Sequence, residues 1–479
     1  MDELAAFEHH LTSPQGLGHA PAGAHIATVG GGACCDTVTI RLATDGASVT
    51  DAGFDADGCG AARAAASAAV TLVRGASLLA AARVGPREIA AELGGLSPGK
   101  LHAAEVASDA LARSLGAALR EQGAVDAPGG GRQRTLVAMS GGVDSAVAAL
   151  VCAQSGETVA VTLELWADAE GDAERSCCSA SAVAQARALA HRLGLPHVTL
   201  DLRPEFRAGV VEPFIAAHVA GETPNPCVRC NGNVRLDGML ALADRLGCAT
   251  LATGHYARIE AGLLRCAADP AKDQSYMLAA LSLDSLARMR FPLGEMTKPE
   301  VRAQAAAAGL PVAGRPDSQD LCFLAGTDRR RFLARHGSVA PRRGEIVDLA
   351  GRRVGEHDGQ ELFTVGQRRG LGVAAAEPLY VVGKDVASNR VRVGPRAALD
   401  ADRVLIRAAR LHRPGSTVDR VKLRYRARPL AARIDGDAGA GRHRALTLVL
   451  DEPAGGAAPG QLACLMDGEL IVGWGTIAA

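Results

Sequence analysis

Thr135-Leu136-Val137-Ala138-Met139-Ser140-Gly141-Gly142-Val143-Asp144-Ser145 is the stretch that decides the fold. Its first five residues carry no charge and have the length of a strand buried on both faces. Two glycines follow, and Val143 opens an apolar helix. A strand that turns through Gly-Gly into a helix leaves backbone N–H groups unpaired at the helix start, beside the hydroxyls of Ser140 and Ser145. Such a corner binds phosphate. Asp144 is expected to hold Mg²⁺ or to orient the loop. No Gly-Lys-Ser/Thr follows, so this is not a Walker loop.

Downstream, the pattern predicts strands over residues 158–163 and 198–201 and a helix over 182–193. Further α/β units follow to about residue 325. Strands alternating with helices argue for an α/β fold with a doubly wound parallel sheet. From about residue 340, short Gly-, Val- and Arg-containing runs broken by turn residues predict a small β-rich linking domain and then a β-barrel. Upstream, Pro128-Gly129-Gly130-Gly131 lies in a run that resists helix and strand. Before it, strands over 37–42 and 49–54, an Ala-rich helix after Cys59 and an amphipathic helix over 100–121 form a small α+β domain. The expected division is 1–122, a linker at 123–133, 134–335, 336–398 and 399–479.

The chain has 479 residues, 48% of them hydrophobic and only 3% aromatic, which is material for three or four cored domains. Its formal net charge is zero, so only local charge could steer a polyanion. Nine basic residues between Arg403 and Arg428, with Asp419 the lone acid, form one such patch; Arg329, Arg330, Arg331, Arg335, Arg342 and Arg343 form a second. Residues 1–20 lack a signal-peptide pattern and no apolar run is long enough for a membrane span. The expectation is a cytoplasmic protein, without a membrane partner, whose 12 cysteines serve as ligands or nucleophiles rather than structural disulfides. Cys152, Cys248, Cys266 and Cys464 sit among apolar residues and read as buried small side chains. Ser176-Cys177-Cys178-Ser179 reads as a helix entry.

Further strings follow the loop in order: Thr223-Pro224-Asn225-Pro226-Cys227-Val228-Arg229-Cys230-Asn231, Ala252-Thr253-Gly254-His255-Tyr256, Lys272-Asp273-Gln274-Ser275-Tyr276, Asp317-Ser318-Gln319-Asp320-Leu321-Cys322-Phe323 and Thr364-Val365-Gly366-Gln367-Arg368-Arg369-Gly370. Together with the loop, which resembles that of the ATP pyrophosphatases, these strings resemble the bacterial tRNA-specific 2-thiouridylase family over residues 133–479. The resemblance implies adenylation of the C2 oxygen of the wobble uridine by ATP, then its replacement by sulfur, giving 2-thiouridine, AMP and pyrophosphate. It implies a persulfide on Cys322 and a partner thiol on Cys230 that closes a disulfide. Some relatives carry Asp where this chain has Cys227, so an acid/base role there does not carry over unchanged. Cys227, Cys230 and Cys322 could instead hold a [4Fe–4S] cluster with one open iron. By the same resemblance, ATP is bound by Ala138, Met139, Ser140, Gly141, Gly142, Val143, Asp144, Ser145, Leu163 and Gly254. Asn225, Pro226 and Cys227 surround the target base. Lys272, Asp273, Gln274, Arg424 and Tyr425 touch tRNA in its anticodon region, Arg424 by bidentate phosphate contact and Tyr425 by stacking. The implied partners are tRNA and a sulfur donor such as a cysteine desulfurase or a sulfur relay protein.

The first 122 residues resemble the NifU-like iron–sulfur scaffold family. Cys34, Asp36, Cys59 and His102 match its ligands; Cys35 stands where the family usually has Gly, and Ala103 where its third cysteine belongs. Four candidate ligands remain, enough for Zn²⁺ or a labile iron–sulfur cluster. Two uses are open: local delivery of sulfur or a cluster to the second site, favoured by tethering, or a degenerate scaffold kept only as a docking surface. Two rivals are another pyrophosphate-loop enzyme, such as an amide-forming synthetase, and an iron–sulfur carrier that only binds tRNA.

Overall fold

A computed structural model describes residues 3–30, 35–121, 134–168, 179–316, 321–324 and 326–478. Near the N-terminus, α1 (Glu3–Thr12) precedes an antiparallel sheet of β1 (His25–Gly30), β2 (Thr37–Thr44) and β3 (Val49–Asp57), in that spatial order. Val38, Ile40 and Leu42 of β2 alternate inward and are fully buried, the period of a half-buried strand. Helices α2 (Gly60–Val73), α3 (Leu78–Ala81), α4 (Pro86–Glu92) and α5 (Leu101–Glu121) complete this α+β unit. Helix α1 and strand β1 were not expected. The sequence His25-Ile26-Ala27-Thr28-Val29-Gly30 places Ile26 58% exposed, so its apolar residues do not mark an inner face.

The deciding stretch folds as β4 (Arg134–Ala138) running into α6 (Val143–Ser155). Then come β5 (Thr158–Glu164), α7 (Ala180–Arg192), β6 (His197–Asp201), α8 (Arg203–Phe206), α9 (Glu212–Val219), α10 (Pro226–Cys230), α11 (Leu236–Arg245) and β7 (Cys248–Ala252). Every residue of β4 and β5 is buried. Two short strands, β8 (Arg258–Glu260) and β9 (Leu263–Arg265), precede β10 (Met289–Arg290). The parallel sheet has the order β10-β7-β4-β5-β6. The chain steps from β4 to β5 and β6 on one side, and places β7 on the other. The order therefore reverses at β4, and the crevice beyond the carboxyl ends of β4 and β7 is where such sheets bind ligands.

A four-stranded sheet follows: β11 (Gly344–Val347), β12 (Arg353–His357), β13 (Tyr380–Asp385) and β14 (Arg390–Gly394), in the order β12-β11-β14-β13 around Ile346, Phe363, Val381, Val391 and Val393. The last unit is a six-stranded barrel of β15 (Asp400–Leu411), β16 (Arg420–Lys422), β17 (Leu430–Ile434), β18 (Gly441–Gly455), β19 (Leu462–Asp467) and β20 (Leu470–Ile477). Its order is β15-β18-β17-β16-β19-β20, and pairing of β15 with β20 closes it. Closure removes open edges, and β9 of the α/β unit extends the sheet from β20. The expected α/β sheet, linking β-rich unit, barrel and N-terminal α+β unit are all present. No helix among the described residues is long and apolar enough to cross a membrane.

Candidate functional site

The loop after β4 is closed on Ser145. The Ser145 hydroxyl accepts from Ser140 N–H at 3.1 Å, lies 3.2 Å from Ser140 Oγ and donates to the Gly142 carbonyl at 3.1 Å. Gly141 has φ +74°, and a Cβ there would lie 2.8 Å from the Ala182 carbonyl oxygen, so both its handedness and the approach of α7 require glycine. Gly142 caps α6, whose first-turn N–H groups have no intrahelical acceptor and face the crevice. From the end of β7, Gly254 comes so close that a Cβ would sit 2.8 Å from the Asp144 carbonyl carbon and 2.8 Å from Ser145 N. Asp144 itself is tied down. Lys298 Nζ reaches both its oxygens at 2.8 Å, and the Tyr256 hydroxyl donates to Oδ1 at 2.7 Å. Beside them, His255 bonds Thr253 at 2.8 Å through Nδ1, and burial pushes its pKa down to about 3, so it is a neutral lining group.

This loop opens into a cavity of about 980 Å³, and Cys227, Cys230 and Cys322 line the same cavity. Asn225 caps α10, its Oδ1 accepting from the N–H of Cys227 at 3.1 Å and of Val228 at 3.4 Å. Cys227 thus sits in the first turn, at the positive end of a helical stretch. Cys230 follows one turn later and leads into a π-helical turn, Asn231–Arg235, which continues as α11. Cys322 opens the short 3₁₀ turn Cys322–Leu324, followed by Phe323 packed on Phe206 and Phe214. Asp317, Ser318, Gln319 and Asp320 lie outside the described residues, as do Cys177 and Cys178. Ser179 does cap α7, accepting from Ala182 N at 3.0 Å.

The opposite wall comes from the barrel and the loop before Ser275. Lys272, Asp273, Gln274, Tyr425 and Pro226 line the cavity, together with Arg420, Lys422, Arg426 and Arg428. Asp273 is buried and committed: its oxygens accept from Ala267 N (3.1 Å), Ser275 N (3.2 Å), Ser275 Oγ (3.0 Å) and Lys422 Nζ (3.3 Å). Gln274 pairs with the Tyr256 backbone in both directions, at 2.8 and 3.0 Å. These two side chains shape the loop that presents Lys272. Arg424 is not among the cavity-lining residues; its guanidinium donates to the Val365 (3.0 Å) and Gly456 (2.7 Å) carbonyls and braces the linking unit against the barrel.

A second constellation sits in the N-terminal unit. Donor atoms of Asp36, Cys59 and His102 all lie within 4.8 Å of one another. Cys59 donates to Asp36 through both its N–H (2.8 Å) and its thiol (3.1 Å). His102 Nε2 lies 3.4 Å from Asp36 Oδ2 yet forms no hydrogen bond. Burial works to raise the Asp36 pKa, but the bonds from Cys59 and the neighbouring His102 outweigh it and hold the carboxyl below its ordinary value. Cys34 lies outside the described residues. Cys35 is exposed, at φ +51°.

Residues 133–326 match a family model described as the tRNA methyl transferase HUP domain, 330–395 the tRNA methyl transferase PRC-barrel domain, and 5–123 the NifU-like N terminal domain. A protein of Rubrobacter xylanophilus named "Bifunctional protein NifU/MnmA" is 42% identical over 98% of this chain and 97% of its own length. A "tRNA-specific 2-thiouridylase MnmA" of Zymomonas mobilis is 42% identical over 72% of this chain and 93% of its own. The chain belongs to the tRNA-specific 2-thiouridylase family and carries a NifU-like domain in front. Its HUP domain is that family's ATP-using part.

Three features in or beside the cavity of this thiouridylase escaped the reading of the sequence. Lys298 stands at the start of a helix, Lys298–Ala307, 154 positions from Asp144. Thr297 and Glu300 form a capping box around it, an ordinary helix-start signal that hides its partner. Arg315 donates to the Gly141 carbonyl at 3.3 Å and also bonds Gln185, so a second cation reaches the loop. Cys266 is not a plain core residue: it is partly buried, lines the cavity, and lies 3.5 Å from Ser275 Oγ. Cys152, Cys248 and Cys464 are buried as expected, and burial pushes the Cys152 and Cys248 thiols up to about 11 and about 12.

Proposed function

We propose that this cavity converts the wobble uridine of tRNA to 2-thiouridine, with ATP bound at Ser140–Ser145 and sulfur carried by Cys322 and Cys230. The observation that supports the reading is the shared cavity: a phosphate-binding helix start, Cys230 and Cys322, and a basic barrel wall face one space. The matching family models carry methyl transfer in their descriptions, and the relatives carry thiolation in their names. Thiolation gives Cys230 and Cys322, which line that cavity, a role.

The C2 oxygen is a poor leaving group. It attacks the α-phosphorus of ATP, pyrophosphate departs, and the oxygen becomes an AMP ester. First-turn N–H groups of α6, Arg315 and Lys298 supply the positive field for the phosphates. Asp144 would hold Mg²⁺ accompanying the nucleotide only by giving up one of its Lys298 contacts, and the ion would neutralise charge on the departing pyrophosphate. Cys230 thiolate then attacks Sγ of the Cys322 persulfide. A Cys230–Cys322 disulfide forms and the terminal sulfur leaves as hydrosulfide, which attacks C2 and expels AMP. An external dithiol reduces the disulfide before the next turnover, and a cysteine desulfurase or relay protein reloads Cys322. Tyr425 stacks on the extruded base or its neighbour, and Lys272, Arg426 and Arg428 hold backbone phosphates.

At the N-terminal site, Asp36, Cys59 and His102 fit a metal centre: three donors converge and His102 Nε2 is buried without a hydrogen bond. With Cys34 as the fourth ligand, this set would hold Zn²⁺ or a labile iron–sulfur cluster.

The test is nucleoside analysis of unmodified tRNA incubated with the protein, ATP and a persulfide donor. The expected result is 2-thiouridine with one AMP per thiolated base, lost in Cys322→Ser and Cys230→Ser while tRNA-dependent pyrophosphate release persists. No tRNA-dependent pyrophosphate release in the wild type would overturn the reading. Because Cys227 shares the cavity wall, the same assay on an anaerobic preparation decides the cluster route: cluster absorbance and activity lost together in Cys227→Ser would replace the persulfide.

A further inference from the structure

Strand β6 is an edge of the parallel sheet, yet it is not open. Its His197 N–H donates to the Ala82 carbonyl of the N-terminal unit at 2.8 Å. Helix α5 lies along it so closely that a Cβ on Gly116 would stand 1.8 Å from the Thr199 carbonyl oxygen. Arg120 donates to the Asp201 carbonyl at 2.6 Å and pairs with Glu205; Arg245 donates to the Leu119 carbonyl at 2.7 Å. Buried apolar residues of both units form one continuous cluster, from Ile40 and Leu111 to Leu163, Leu200 and Phe206.

Within this contact runs a chain of alternating charges. Asp109 of α5 pairs with Arg187 of α7 and lies 3.2 Å from Arg113 Nε. Arg113 in turn reaches Glu164, the last residue of β5, at 2.5 and 2.6 Å. Arg187, Asp109 and Glu164 are 3%, 9% and 8% exposed, so these charges are held out of water. Both elements they grip end in the thiolation cavity. Leu163 and Leu165 flank Glu164 on the cavity wall, and the first turn of α7 puts Ala182 against Gly141 of the nucleotide loop.

We propose that Asp109 and Arg113 of the NifU-like domain are positioning residues of the thiolation cavity, acting through Arg187 and Glu164, so that this domain is a fixed lobe of the enzyme. Paired buried charges accept one geometry, and losing one partner leaves the other uncompensated. The β5 end and α7 are therefore set by α5. The Asp36–Cys59–His102 site is held at the far end of the same helix, with about 16 Å of helical rise between His102 and Arg113. In this arrangement it does not swing onto the cavity.

The activity arm of the test rests on the thiolation reading; the assembly arm does not. A protease site is inserted between residues 122 and 134 of the full chain and cut. The two pieces are expected to co-migrate on size exclusion in moderate salt and to thiolate within about twofold of the uncut enzyme; separation into two species overturns the fixed lobe. Arg113→Met is expected to lower kcat about tenfold with KM for tRNA unchanged. Arg113→Met with Glu164→Leu, which leaves neither buried charge unpaired, should recover to within about threefold. Full activity in Arg113→Met, or a double variant as defective as the single, removes the positioning role. A cut protein that stays together while the wild type makes no 2-thiouridine would sink the thiolation reading and leave the lobe standing.

Discussion

Replacing Lys298 by Met tests how the nucleotide loop is held. Lys298 is only 7% exposed, and its ammonium lies 2.8 Å from both oxygens of a carboxylate that is itself 31% exposed. At an effective dielectric of about 20, that separation corresponds to about 6 kcal/mol of attraction. Desolvating the ammonium takes back much of it. A hydrogen bond to a charged group nets about 1.5–3 kcal/mol. Met keeps the stem and removes the charge, leaving Asp144 with the Tyr256 hydroxyl. If Asp144 must point where Lys298 now holds it, kcat/KM for ATP falls about 10- to 100-fold, since each 1.4 kcal/mol is about tenfold. Tyr256→Phe removes a neutral donor to the same carboxylate, worth about 1.5 kcal/mol at the lower end of that range, and should cost about tenfold. Initial rates of tRNA-dependent AMP release at varied ATP give both numbers, and filter binding gives the tRNA affinity, which should not change. A Lys298→Met enzyme within twofold of wild type in kcat/KM for ATP would refute this account of the loop.

Three further outcomes follow from particular contacts. In Gly254→Ala the new Cβ meets backbone atoms of Asp144 and Ser145 at 2.8 Å, an overpacking worth about 1–3 kcal/mol; calorimetric titration should show weaker ATP binding with tRNA binding intact. His218 is buried with its pKa pushed down to about 3. Its folded value lies below its unfolded one, so its contribution to stability is full above about pH 6.5 and is lost as pH falls toward 3. Between pH 7 and 5 the wild type should lose about 2 kcal/mol more than His218→Leu, by urea unfolding; equal losses would contradict a buried neutral imidazole. Mass spectrometry of bound metals should find zinc or iron on the wild-type protein and background levels on Cys59→Ser, and no metal on either would leave Asp36, Cys59 and His102 as a plain hydrogen-bonded group.

The parallel sheet was legible because β4 and β5 are buried on both faces, so their burial is written as uninterrupted apolar runs. The crevice was legible because the strand–helix corner needs a glycine at Gly141, whose φ is +74° and whose Cβ would meet the Ala182 carbonyl at 2.8 Å. The barrel wall was legible as a run of arginines, but its division of labour was not. Arg424 turns to carbonyls while Arg420, Arg426 and Arg428 line the cavity, and alternation along a strand does not say which face meets another domain. Lys298 and Arg315 were illegible for a different reason. Each acts on a loop more than 150 positions away in sequence, and nothing local distinguishes a capping-box lysine that solvates from one that pairs.

The same limit applies most strongly to α5. Its amphipathic pattern predicted a helix over residues 100–121 with one apolar face. In the structure Ala103, Ala104, Ala107, Ala110 and Ala118 are buried, and so are Ser108, Asp109 and Ser114. A helix can be buried on two sides only if its side chains are short enough for close approach, and Gly116 against the Thr199 carbonyl is where that approach is tightest. Any charge on the second face must then find a partner, which Asp109 and Arg113 do in Arg187 and Glu164. Small residues and embedded charges in one helix are therefore the trace, in sequence, of a helix pressed between two domains. The Gly-rich run that follows it at residues 129–131 read only as a linker between two compact segments.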